Sequence, residues 1–180
     1  LATGDTVIVN SDGTVSVVEG VAEVLGSPAL YRNSALANSG NAAVYDDNAQ
    51  KVVIVFTDNS SQNLKAVVGT VSGTSISFGS EVVVAAQGYI VKLAYDANAQ
   101  KIVAVFDNQA IVGTVSGTSI SFGSSVTYGD GGSASDYDVT YDANAQKVVI
   151  AYRNSSFYGV AIVGTVSGTS ISFGSVVPHL

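Results

Sequence analysis

Apolar and polar positions along this chain fall into short runs, and the runs return at regular intervals. Lys51-Val-Val-Ile-Val-Phe56, Lys101-Ile-Val-Ala-Val-Phe106 and Lys147-Val-Val-Ile-Ala-Tyr152 are apolar at every position after the lysine. That pattern predicts a strand buried on both faces. Thr74-Ser-Ile-Ser-Phe78 and its copies alternate, with Ile and Phe on one side and Ser on the other. These predict a half-exposed strand. Ala66-Val-Val-Gly-Thr-Val71 and its copies predict a further strand, with Gly69, Gly113 and Gly164 inside it. An interior glycine predicts a bulge or the close approach of a neighbouring sheet. A fourth run ends in Tyr-Asp, as in Val91-Lys-Leu-Ala-Tyr-Asp96. In chain order these are strands a (Tyr-Asp), b (after Lys), c (with Gly) and d (Ser-Ile-Ser-Phe).

The connections support this division. Ser72-Gly73 between c and d predicts a two-residue primed hairpin turn, and Asp12-Gly13 predicts the same near the N-terminus. Between a and b, Asp96 suits the capping of backbone N–H groups, and Asn98 suits a left-handed conformation.

The runs belong to copies. Gly69-Thr-Val-Ser-Gly-Thr-Ser-Ile-Ser-Phe-Gly-Ser80 recurs without change at 113–124 and 164–175. Tyr95-Asp-Ala-Asn-Ala-Gln-Lys101 recurs at 141–147 and, with Asp47, at 45–51. Residues 31–80, 81–124 and 125–175 form three units, and residues 1–30 form part of a fourth. There, 6–9 and 14–18 read as strands c and d, and Leu25-Gly26-Ser27 echoes Phe-Gly-Ser. A four-stranded unit that is apolar on both sides cannot bury itself alone and must stack on its copies. The expected fold is all-β: a β-propeller-like array of antiparallel blades in one repeat domain, possibly part of a larger propeller. A β-sandwich is the runner-up. Propellers close with about four to eight blades, so the chain is expected to continue past residue 180. A small irregular array and closure by other subunits are the alternatives.

Composition narrows function. The chain has 180 residues, 47% apolar and 12% charged, with net charge −7 and seven Lys plus Arg. It lacks the basic stripe that nucleic acid or an anionic membrane requires. No apolar run reaches the length of a membrane span, so no membrane insertion is expected. Cysteine is absent, which removes thiol chemistry. His179 is the single histidine, too few for a zinc site. No Gly-x-Ser-x-Gly or phosphate loop is present. The aspartates copied into every unit read as turn residues, since an active site is needed once. The chain is expected to be no enzyme and to use no cofactor or metal.

The a–b and c–d turns hardly vary between copies, whereas the b–c and d–a loops differ. Alternating strand direction puts those variable loops on one face, where loops on a rigid scaffold usually carry function. The candidate partner-binding residues are Asp58, Asn59, Gln62, Asp107, Asn108, Asp130, Asp136, Arg153, Phe157 and Tyr158. Asp130, Asp136 and Asp138 in a Gly-rich loop would suit calcium, but they lack regular ligand spacing and read as a solvated acidic loop. Tyr152, Arg153, Phe157 and Tyr158 form an aromatic and cationic group suited to a sugar or a protein surface. Tyr31-Arg32-Asn33 repeats the Tyr-Arg-Asn of 152–154.

The copied Val-Gly-Thr-Val-Ser-Gly-Thr-Ser-Ile-Ser-Phe-Gly-Ser and Tyr-Asp-Ala-Asn-Ala-Gln-Lys phrases resemble repeats in tail, fibre and other virion-associated proteins of marine bacteriophages, including cyanophages. Gly4-Asp-Thr-Val-Ile-Val-Asn-Ser-Asp-Gly-Thr-Val15 is similar to segments of the same proteins. The resemblance implies a structural module of a virion exterior, docked on other virion or surface proteins in a homo- or hetero-oligomeric assembly. The alternative is a carbohydrate-binding, lectin-like adhesin, secreted or on a cell surface, that meets a host-surface glycan.

Overall fold

A computed structural model describes residues 7–17, 26–129 and 136–178. The described residues contain seventeen strands and no helix. At the N-terminus β1 (Val7–Val9) and β2 (Val15–Val17) form an exposed antiparallel hairpin. Its loop is not the expected two-residue turn. Asn10 N–H donates to the Thr14 carbonyl at 2.8 Å, and Gly13 takes φ +80°.

Three larger antiparallel sheets follow, one per unit. The first is β3 (Leu36–Asp46), β4 (Lys51–Asp58), β5 (Leu64–Ser72), β6 (Ser75–Phe78) and β7 (Val82–Ala85). The second is β8 (Lys92–Asp96), β9 (Lys101–Phe106), β10 (Gln109–Ser116), β11 (Ser119–Phe122) and β12 (Val126–Thr127). The third is β13 (Tyr137–Asp142), β14 (Lys147–Arg153), β15 (Gly159–Ser167), β16 (Ser170–Phe173) and β17 (Val177–Pro178). In each, the first four strands pair in chain order, and the fifth pairs with the third.

The fifth strand continues the fourth along the same neighbour. Gly69 pairs with Phe78 and Ala66 with Val82, a register shift of one residue across Gly79. The other two sheets repeat this shift across Gly123 and Gly174. Strand d is therefore a long outer strand bulged at its glycine, held there by the Gly79, Gly123 and Gly174 N–H groups on Val68, Val112 and Val163 carbonyls, with a second shift between Leu64 and Lys65 in the first sheet. Residues just past 80, 124 and 175 thus complete the preceding sheet rather than opening the next one.

Two further expectations change. The c–d loop is Gly73-Thr74, one residue later than expected, with Gly73 at φ +56°. In the a–b turn Asp46, Asp96 and Asp142 do cap the N–H of Ala49, Ala99 and Ala145. The left-handed residue, however, is Gln50, Gln100 and Gln146 rather than the asparagine.

The sheets stack through their b and c strands. Ile102, Ala104, Phe106 and Ile111 of the second sheet join Val53, Val55, Ala66 and Val68 of the first in one core. Val103, Val105, Ala110 and Val112 join Val148, Ile150, Val160 and Ile162 of the third in another. The second sheet is dry on both faces, as the unbroken apolar run of β9 predicts.

The strand glycines have a different neighbour from the one expected. A Cβ at Gly69 would stand 2.8 Å from Ile76 Cδ1 and 3.0 Å from Phe78 Cε1. Both belong to the adjacent strand of the same sheet, so the glycine makes room for d rather than for another sheet. The close approach between sheets occurs at the bulge. A Cβ on Gly79 would lie 1.9 Å from the Thr118 carbonyl oxygen, and one on Gly123 would lie 1.9 Å from that of Thr169. A second contact repeats nearby: Asn48 N–H donates to the Tyr95 hydroxyl and Asn98 N–H to the Tyr141 hydroxyl, each at 3.1 Å.

Candidate functional site

The b–c and d–a loops gather at one end of the sheets, and each sheet dresses that end differently. Asp58, Asn59 and Gln62 lie at the first sheet. Gln62, at φ +58°, closes the loop by donating its N–H to the Asp58 carbonyl. Asn59 is exposed, and its carbonyl accepts from Gln62 Nε2. Asp58 is not available to a partner. Its Oδ1 lies 2.9 Å from Arg32 Nη2, and its Oδ2 lies 2.8 Å from Lys65 Nζ. Glu81 Oε2 completes the network at 3.0 Å from Arg32 Nη1 and 3.1 Å from Lys65. The Lys65 hydrogen bond, with help from Ser60 N–H, holds the Asp58 carboxyl far below the ordinary carboxylate range. The same bond raises Lys65. Carboxylates and cations paired in this way make a structural clasp.

Asp107 and Asn108 form a two-residue hairpin, both with positive φ (44° and 62°). This is the primed turn that the clipped loop allows. The third sheet fastens it through the Tyr137 hydroxyl, which accepts from Asp107 N–H and donates to the Ile90 carbonyl, and within its own sheet Tyr128 N–H donates to the Asn108 carbonyl. Asp107 Oδ1 is buried without a hydrogen-bond partner among the described residues, and burial raises its carboxyl. Burial also raises the phenols, Tyr137 to about 12 and Tyr128 further.

Asp136, Arg153, Phe157 and Tyr158 come together at the third sheet. Arg153 Nε lies 2.8 Å from Asp136 Oδ2, and its guanidinium stands 5.2 Å from the Phe157 ring centre. Asn154 Oδ1 accepts from Ser156 and Tyr158 N–H, which folds the loop outward. Phe157 is 76% exposed and Tyr158 70%. Beside them Tyr128, Gly129, Tyr152, Asn154 and Val176 line a cleft of about 350 Å³, and the buried Tyr128 hydroxyl has no partner among the described residues. Asp130 lies outside the described residues, as does His179. Asp138 points to the other face of β13 from Tyr137, with its Oδ1 on Val139 N–H.

The sequence likeness of Tyr31-Arg32-Asn33 to 152–154 is not a structural one. Tyr31 lies 5.3 Å from the Phe56 ring and 6.0 Å from Phe78. Tyr128 lies 5.2 Å from Tyr152 and 6.1 Å from Phe173. Tyr31 is thus the counterpart of Tyr128, each wedged from a d–a connection onto the following sheet. Sequence reasoning left out Arg32, Lys65, Glu81, Tyr128 and Tyr137 as functional residues. The shared spacing of Gly26 to Tyr31 and Gly123 to Tyr128 is the signal that marks the two tyrosines.

No protein-family model matches the chain, and no curated protein matches it. Among solved structures, a fucose lectin from Kordia zhangzhouensis in complex with methyl-fucoside is similar, at 14% identity and a TM-score of 0.38. The match covers 76% of this chain and 98% of that one.

Proposed function

We propose that this chain is a non-enzymatic assembly module of a virion exterior, built from propeller-type blades. One observation carries the assembly reading. The inter-sheet contacts are copied from seam to seam, and the third sheet leaves Ala151, Ala161 and Val163, its matching positions, exposed. A chain made of such units is built to be extended by more sheet. The virion setting rests on the repeat phrases. Sedimentation of purified particles, with an antibody to this chain, tests it: the chain is expected at fixed stoichiometry with the particle, and its absence overturns the setting.

A second reading, glycan recognition, is favoured by the Tyr128–Tyr152 cleft and the neighbouring Phe157 and Tyr158. The Tyr128 hydroxyl, without a partner among the described residues, and the exposed rings beside it offer a sugar both a hydrogen bond and a stacking surface. A glycan array is expected to give hits that Phe157→Ala with Tyr158→Ala abolishes at unchanged thermal midpoint. An array without hits ends this reading.

A further inference from the structure

The seams of this molecule follow one rule, and its two ends each break it in a complementary way. Val53, Val55, Ala66 and Val68 of the first sheet are wholly buried by the second sheet. Val103, Val105, Ala110 and Val112 of the second sheet are wholly buried by the third. The matching positions of the third sheet are Val149, Ala151, Ala161 and Val163. Of these Val149 is half-buried and the other three are exposed, Val163 at 46%.

The bulge glycines say the same. Gly26, Gly79 and Gly123 each sit so tightly on a threonine carbonyl, of Thr74, Thr118 and Thr169, that a Cβ would fall within 2.1 Å of it. Gly174 has the Phe-Gly-Ser context of Gly79 and Gly123, but among the described residues a Cβ there meets nothing nearer than 3.8 Å. The turn amides agree as well. Asn48 and Asn98 give their N–H to a tyrosine of the next sheet. Asn144 N–H has no such tyrosine and turns to its own Asp142.

At the opposite end, Tyr45 is the counterpart of Tyr95 and Tyr141, and it is 51% exposed. Val52, Ile54 and Ile76 are only half-buried, while their counterparts Ile102, Ala104 and Ile120 are closed off. The Thr74 seat is filled from the same chain by Gly26, within a run of exposed, irregular residues 26–30.

We infer that the open face of the third sheet binds the first sheet of a second copy of this chain, head to tail. Gly174 then takes the Thr74 carbonyl from Gly26, and Tyr45 takes Asn144 N–H. A second copy is the fitting partner because it carries the tyrosine, the threonine turn and the half-open apolar strip that the third sheet lacks. The chain's own first sheet cannot serve, since the second sheet stands between. Such a contact is heterologous and propagates into a ring or a filament. The inference names the partner for the assembly reading and holds whether or not the chain belongs to a virion.

Sedimentation velocity and light scattering on the full chain, from low to high concentration, test it. Association is expected in the wild type. Gly174→Ala, at a position open in the monomer, is expected to weaken it at least tenfold, as is Val163→Asp. Gly26→Ala is expected to strengthen association by clearing the Thr74 seat. Wild type and Gly26→Ala both remaining monomeric at about 100-fold above the usual micromolar range of protein contacts overturns the inference. Association that Gly174→Ala and Val163→Asp leave unchanged overturns it too. Unchanged circular dichroism and thermal midpoint in both variants separate lost association from lost folding.

Discussion

Gly123→Ala gives the sharpest test of how the sheets are held together. The added Cβ would stand 1.9 Å from the Thr169 carbonyl oxygen and 3.0 Å from its carbon, where carbon–oxygen contacts need roughly 3.3 Å. The contact lies backbone against backbone, so no side chain can swing aside. Relief requires the second and third sheets to part by more than about 1 Å, and a gap of only about 0.5–1 Å already forfeits about a quarter to a half of each dispersion contact it opens, along a seam that includes Val103, Val105, Val112, Val148 and Ile150. Overpacking of this kind costs about 1–3 kcal/mol, and we expect the upper value. For a chain of this length, about 3 kcal/mol lowers the thermal midpoint by roughly 6–12 °C. The sign is informative because replacing a strand glycine by alanine without a clash stabilises by about 0.4–1 kcal/mol through the unfolded chain. Gly159, with nothing within 4 Å, provides that control. Thermal and urea denaturation followed by circular dichroism should show Gly123→Ala destabilised and Gly159→Ala neutral or better. A Gly123→Ala protein within about 0.5 kcal/mol of wild type would refute the tight seam.

Three other outcomes follow from the variable-loop face. Because the folded Asp58 carboxyl is depressed, its contribution is complete above the unfolded value of about 3.9 and fades as pH falls below it. Asp58→Asn should therefore be less stable than wild type near neutrality, with the difference shrinking below about pH 4 in acid titrations; a constant difference contradicts the clasp. Tyr137 holds its proton to about 12, so stability should decline as pH rises above about 10. Ultraviolet titration of tyrosine should show late-ionising phenols, one of them missing in Tyr137→Phe. That variant also strands the Ile90 carbonyl and Asp107 N–H and should lose about 1–3 kcal/mol; no loss by denaturation would remove the bridge.

The strands were legible because burial writes itself into period and composition: a two-sided run such as 101–106 fits a sheet covered on both faces. The bulge in strand d was not legible. Its second half, Val82–Ala85, is separated from Ser75–Phe78 by Gly-Ser-Glu, which reads as a loop until the partner strand is known. The left-handed turn residue was misread because local preference favours asparagine, whereas the register of β3 on β4 and its copies assigns that conformation to glutamine. At the candidate site, the exposed Phe157 and Tyr158 followed from a loop between two apolar runs. The clasp around Asp58 did not, since its four members come from residues 32, 58, 65 and 81, and only folding brings them together.

The uniformity of the copied hairpins has a consequence for how the molecule reaches its native state. Three copies of the identical segment Gly69–Ser80 face three closely similar b strands, so mispaired and exchanged arrangements compete with the native one. What tells the seams apart are residues that are not copied, among them Thr57, whose hydroxyl bonds the Gly88 and Tyr89 carbonyls on the connection into the second sheet, and Tyr137, which bridges the second seam. These contacts serve as addresses against scrambling. A chain with the addresses erased would keep well-paired sheets and lose the single order in which they are threaded.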